Sequence, residues 1–276
     1  MLIRFLVEPS FRTANKVGLA LFFFFYLLGH IFISTITFLT LKYVSPDTGF
    51  SGSAQKLVSA FLSVLFLHYL LRTFFKISIF HLISKRTIRW ASMLFASCLF
   101  LMISTSLAIM FKFPNVTSLI KFISIDTPLQ FSLLALFFTA FHEEVVFRGL
   151  LSKAIFNWKA SLISSILIPS IMFSVIHLPD TELNSYEIFY VTFYFFLIGL
   201  LLQYLSLVTN GLESAIGIHW AHNAAAVYLL MAQSTNNEKG FNLILLLVDI
   251  LSVLITIVTI QYTYTYVCKL KLKSPL

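Results

Sequence analysis

A chain of 276 residues that is 59% hydrophobic and only 11% charged cannot be an ordinary soluble domain, in which about 25% of residues are charged. Its mean hydropathy of +0.92 reads as a polytopic membrane protein. The net charge of +8 does not signal nucleic acid, because the positive residues cluster in the loops between apolar runs, as membrane topology requires. Cys98 and Cys268 lie far apart, so neither a disulfide nor a cysteine-based metal site is expected.

A membrane span takes about 20 apolar residues. Eight stretches qualify, at roughly 17–41, 57–75, 91–111, 129–151, 161–178, 187–208, 212–232 and 241–266. The first is far longer than a signal-peptide core and reads as a retained span. With the N-terminus cytoplasmic, 14 of the 19 lysines and arginines fall in inside segments, among them Arg72, Lys76, Arg89, Arg148, Lys153 and Lys159. The other 5 fall outside, so the asymmetry places both termini in the cytoplasm. Trp90 and Trp158 mark the cytoplasmic boundary. The basic stretch from Lys76 to Lys85 is an interfacial helix or a plain connection, and Ser45–Gly49 and Thr209–Gly211 are turns by composition. The expected fold class is therefore all-α, a bundle of about eight transmembrane helices forming one integral membrane domain over 1–276. The compact chain, without retention signals, favours a bacterial plasma membrane.

Polar residues inside the spans carry the chemistry. The fourth span holds His142-Glu143-Glu144-Val-Val-Phe-Arg148-Gly149 in an apolar setting. An acidic residue near a span centre costs roughly 2.5–3.5 kcal/mol on insertion scales, so such a group is a functional candidate by default. On a helix Glu144 and Arg148 are i,i+4 neighbours, while Glu143 sits about 100° around the axis without that partner. One carboxylate is held and the other is free, which suits a general base. The fifth span carries Phe173-Ser-Val-Ile-His177, and the seventh His219-Trp-Ala-His222-Asn223. His219 and Asn223 share a helix face. A bundle can bring Glu143, Glu144, His177, His219 and Asn223 together. If Glu143 and His177 are at equal depth, each must lie about 24–27 Å from the turn near Lys159, so the fourth helix must run past Arg148 to about Asn157.

Blander uses stand beside these. Glu144 and Arg148 form either a structural pair or a support for the base. Phe173 is packing, and a single intramembrane histidine is more often a helix–helix hydrogen bond than a catalyst. His222 is a partner to the site or an interface residue; Asp249 is expected to bond a neighbouring helix. His30 and His68 are expected between helices or at the interface.

The three motifs in order, Glu143-Glu144-x-x-x-Arg148, Phe173-x-x-x-His177 and His219-x-x-x-Asn223, resemble the CPBP family of intramembrane proteases. That family includes the type II CAAX prenyl proteases and the bacterial Abi proteins. The resemblance covers roughly 128–232, and every polar motif position is filled. It implies an endopeptidase in which Glu143 and His177 activate a water and His219 and Asn223 stabilise the oxyanion. It leaves open a zinc ion on Glu143, His177 and His219, a legitimate ligand set, although the His-Glu-x-x-His zinc helix is absent. The implied partners are a membrane protein or peptide substrate and the lipid bilayer, with no nucleic acid. A proton-coupled transporter and a non-catalytic scaffold or immunity factor are the competing classes. No two-fold repeat supports the first, and the intact polar set argues against the second.

Overall fold

The computed structural model describes residue 6 and residues 16–44, 49–84, 88–111, 127–159, 161–178, 185–234 and 243–273. The turn expected at 45–48, Lys85 and Arg86 lie outside these residues. Every expected span has become helix, and no strand occurs among the described residues. The helices are α1 (Lys16–Val44), α2 (Gly49–Phe75), α3 (Ile79–Ile83), α4 (Trp90–Met110), α5 (Thr127–Glu144), α6 (Ser152–Lys159), α7 (Leu162–Ile176), α8 (Ser185–Thr209), α9 (Glu213–Ser234) and α10 (Leu243–Lys273). A π-helical segment, Val145–Leu151, joins α5 to α6, so the fourth expected span does continue helically past Arg148.

By length and apolarity five helices can cross a membrane, over Leu21–Thr40, Ala54–Phe75, Trp90–Met110, Ser185–Thr209 and Leu243–Tyr266. The other three of the eight expected spans fall short for physical reasons. α7 is apolar but shorter, ending where His177 caps it. The helix starting at α5 and the helix α9 carry the polar motif residues. These two pack inside the bundle: α9 lies against α4, α5 and α8, and α5 against α2.

Close approach at the centre depends on small residues, as in other membrane bundles. A Cβ on Gly217 would lie 2.3 Å from the carbonyl oxygen of Met93, so α9 and α4 touch backbone to backbone there. The Ser97 hydroxyl donates to the Gly217 carbonyl at 2.9 Å across the same contact. The outer faces of α1, α4 and α10 expose Phe24, Phe32, Met102 and Val258, apolar residues suited to lipid.

The basic stretch after α2 resolves the choice between helix and loop. Ser78 caps α3, which buries Ile79, Leu82 and Ile83 and exposes Phe80. Two charges expected in inside segments are instead interior: Arg148 and Lys153 are both fully buried, so neither reports on membrane side. Lys153 Nζ donates to the carbonyls of Leu82 at 3.0 Å and His81 at 3.3 Å, on the last turn of α3, where helix carbonyls lack partners. Between α8 and α9, Asn210 takes a left-handed φ of 55° in the expected turn. Beyond that turn Glu213 opens α9 and holds Arg89 through both carboxylate oxygens, at 3.1 and 2.9 Å. Arg89 also donates to the Tyr264 hydroxyl, tying the start of α4 to α10.

Candidate active site

The site forms where the α5–π junction meets α7 and α9. In the π segment the backbone bonds skip one residue further than in an α-helix, and such bulges recur at functional sites. The N–H of Ser152 and its hydroxyl both reach the Phe147 carbonyl. The hydroxyl also meets Gln203 Oε1 at 2.8 Å. Gly149 lets the segment sit tight against its neighbours, since a Cβ there would be 3.1 Å from both Leu82 and Leu212.

Glu144 and Arg148 pair as the spacing predicts, Arg148 Nη1 donating to Glu144 Oε1 at 2.9 Å with both side chains buried. The same oxygen accepts from His219 Nδ1 at 2.8 Å. Glu143 keeps 17% of its side chain exposed against 0% for Glu144, so the unpaired carboxylate is also the reachable one. Its Oε2 lies 3.5 Å from His219 Nε2 and 3.6 Å from His177 Nε2.

The tautomers follow from the other ring atoms. His219 Nδ1 faces a carboxylate and His177 Nδ1 faces the Phe173 carbonyl at 2.8 Å; both acceptors need an N–H. In the neutral rings each Nε2 therefore presents a lone pair. Three acceptors converge, and Glu143 Oε2 is buried without a hydrogen-bond partner. Glu144 Oε2 and Arg148 Nη2 share that condition. Such a set takes a proton donor or a cation. The donor types, with Nδ1 anchored behind each imidazole, are those of a zinc site. Among the described residues, however, no group of three or more histidine, cysteine or acidic side chains has the arrangement of one.

Phe173 does more than fill space. Its ring lies 4.3 Å below the Arg148 guanidinium and 4.3 Å from the His177 ring, and 5.7 Å from His219. Phe195 closes the other side of His177 at 4.7 Å. These faces set the imidazole plane, and the cation over Phe173 gains on the order of 1–2 kcal/mol in a desolvated setting.

Residues 125–225, which contain Glu143, Glu144, Arg148, Phe173, His177, Phe195, His219 and Asn223, match the family model described as "Rce1-like: Type II CAAX prenyl endopeptidase Rce1-like". The match spans 101 of the 276 residues, and over that stretch the chain is similar to the type II CAAX prenyl endopeptidases. That family is one of proteases, hydrolases of peptide bonds. No curated protein matches the chain.

Around this matched stretch the structure places the remaining candidates. Asn223, half-buried one turn after His219, contacts His222 Nδ1 through its Oδ1 at 3.4 Å rather than Glu143. His222 is buried, not at an interface, and meets Asp249 Oδ2 at 2.9 Å. Asp249 thus bonds a neighbouring helix, as expected, but as part of a cluster with Tyr194 that sequence reading missed. Also missed was a polar row from α1. The Tyr26 hydroxyl meets His142 Nε2 at 2.6 Å, His30 stacks on His142 at 5.1 Å, and His30 Nδ1 meets Ser63 Oγ at 2.8 Å. His142 adjoins Glu143 in sequence, and that adjacency was the available signal. Tyr26 and Tyr194 gave none, because a lone tyrosine in an aromatic-rich span has no periodic mark.

Proposed function

We propose that the protein is an intramembrane endopeptidase that hydrolyses a peptide bond with a water activated by Glu143. The observation that carries this reading is Glu143 Oε2 facing the Nε2 atoms of His177 and His219, with both Nδ1 atoms committed as donors elsewhere. A carboxylate and two imidazole lone pairs are acceptors for the protons of an attacking water. Glu143 takes one proton as the water oxygen adds to the carbonyl carbon. It returns that proton to the amide nitrogen as the C–N bond breaks, leaving a carboxylic acid and an amine. Glu144, saturated on one oxygen by Arg148 and His219, holds the His219 ring in the tautomer this needs. A neutral His219 cannot donate from Nε2 to an oxyanion, so that task falls to the amide NH2 of Asn223. Where zinc is bound, Glu143, His177 and His219 are the residues to hold it, and it would supply a Lewis acid and a more acidic water.

The substrate class is a membrane-associated protein or peptide, and the family's description suggests a C-terminal CAAX sequence carrying a prenyl group on its cysteine. We place the chain in a bacterial plasma membrane with both termini cytoplasmic. Reporter fusions at each end test the orientation; a periplasmic terminus overturns it.

The deciding experiment uses purified full-length protein in lipid nanodiscs with internally quenched CAAX peptides, farnesylated and unmodified. Cleavage by the wild type and none by Glu143→Gln is the expected result. Cleavage retained in Glu143→Gln overturns the reading, since an amide has the carboxylate's shape but not its basicity. Metal analysis of the same samples separates the two uses of the acceptors: one zinc per active chain makes Glu143 a ligand rather than the base.

A further inference from the structure

One turn along α9 from the His219 contact with Glu144, three helices meet in a second buried polar cluster. Tyr194 from α8 donates its hydroxyl to Asp249 Oδ2 of α10 at 2.5 Å. His222 Nε2 from α9 lies 2.9 Å from the same carboxylate oxygen and 2.5 Å from the Tyr194 hydroxyl. Its Nδ1 faces Asn223 Oδ1 at 3.4 Å. Tyr194 and His222 are buried, and Phe100 packs edge-on against the His222 ring.

One assignment of donors and acceptors satisfies every contact in the cluster. Tyr194 spends its only proton on Asp249, so its oxygen accepts. Nε2 of His222 then stands between two acceptors and must carry a proton, which it shares between them. Nδ1 faces an amide oxygen and must carry one as well. In that assignment His222 is a doubly protonated imidazole held by the Asp249 carboxylate. Asn223, with Oδ1 engaged by that imidazole, retains its NH2 as the uncommitted end of the amide.

We infer that Asp249, Tyr194 and His222 are positioning residues that orient the Asn223 amide, turning its oxygen away from the reaction and leaving its NH2 as the oxyanion donor. This rests on the proposed protease function and adds to it a device that fixes which end of Asn223 is presented. Without Asp249, His222 has no counter-charge to keep its second proton. The imidazole would then offer Asn223 a lone pair, and the amide would rotate to donate to it. The helix-clamp alternative, in which the cluster only joins α8, α9 and α10, leaves Asn223 unaffected.

A double-mutant cycle on the quenched CAAX peptides separates the two, since coupled residues are non-additive. Asn223→Ala should lower kcat by about 10²- to 10³-fold, the usual loss for one oxyanion donor. Asp249→Asn should lower kcat by about tenfold, a fraction of that loss, with KM within about twofold. In the Asn223→Ala background, Asp249→Asn should add less than about twofold. Equal losses in both backgrounds, or a Asp249→Asn protein with wild-type kcat, overturn the inference. If Asp249→Asn does not fold, His222→Ala carries the same cycle, because it removes the imidazole that engages Asn223 Oδ1. Cleavage by Glu143→Gln would defeat the protease reading itself; an inactive Glu143→Gln with an additive cycle defeats only this inference.

Discussion

The two polar clusters along α9 are built from the same residue types and differ in how completely they are satisfied. Around Asp249, a carboxylate, an imidazole, a phenol and an amide each find a partner, at 2.5–2.9 Å among the first three and 3.4 Å to the amide. Around Glu143, the carboxylate faces two imidazole lone pairs, and Glu143 Oε2, Glu144 Oε2 and Arg148 Nη2 are buried without partners. A buried polar group left unpaired costs about 1–3 kcal/mol, more if charged. A fold tolerates that where a ligand or a reaction completes the set. Satisfaction marks the cluster that holds helices and orients side chains; deficit marks the one that reacts.

Substitutions can break this contrast, and the largest effect belongs to the unsatisfied side. Glu143→Gln should lower peptide cleavage by at least about 10²- to 10⁴-fold, the span of general-base contributions. The thermal midpoint should stay within a few degrees or rise, because the change removes a charge from a set of acceptors. A large loss of folded protein would mean that Glu143 is structural.

Arg148→Ala comes next and tests the shared boundary. It strips a buried partner from Glu144 and a cation from the Phe173 ring, so a loss of about 3–5 kcal/mol in stability is expected. Unfolding in detergent with increasing SDS would measure it; a wild-type transition would show Glu144 held sufficiently by His219 alone. Lys153→Ala should cost less, about 1–3 kcal/mol, since it frees backbone carbonyls of α3 rather than a buried charge. Burial makes it more than a neutral surface control, and kcat per folded molecule should stay near wild type. A kcat loss matching that of Arg148→Ala would join α3 to the catalytic machinery.

The smallest effect should come from the satisfied side. Tyr194→Phe removes one hydrogen bond in a membrane bundle, where such bonds average about 0.6 kcal/mol. The same unfolding measurement should detect little, and kcat should fall less than in Asp249→Asn, which alone removes the counter-charge of His222. A stability loss of several kcal/mol would make the cluster a clamp first.

Composition was enough to establish an all-α membrane protein, and motif spacing was enough to nominate the reacting residues. Glu144 and Arg148 are neighbours on a single helix, so their pairing at 2.9 Å could be read from the i,i+4 interval. Charge counting in loops could not see that Arg148 and Lys153 are interior, because a cation reads alike in a loop and against buried carbonyls. Nor could apolar run length show that α9 packs against α4, α5 and α8. Which nitrogen of His177 and His219 carries the proton was decided only by tertiary contacts, the Phe173 carbonyl behind one and Glu144 behind the other. Joining Tyr194, His222 and Asp249 also required three helices to pack. Sequence periodicity places residues on a face of one helix, and which faces meet is set by packing between elements distant along the chain.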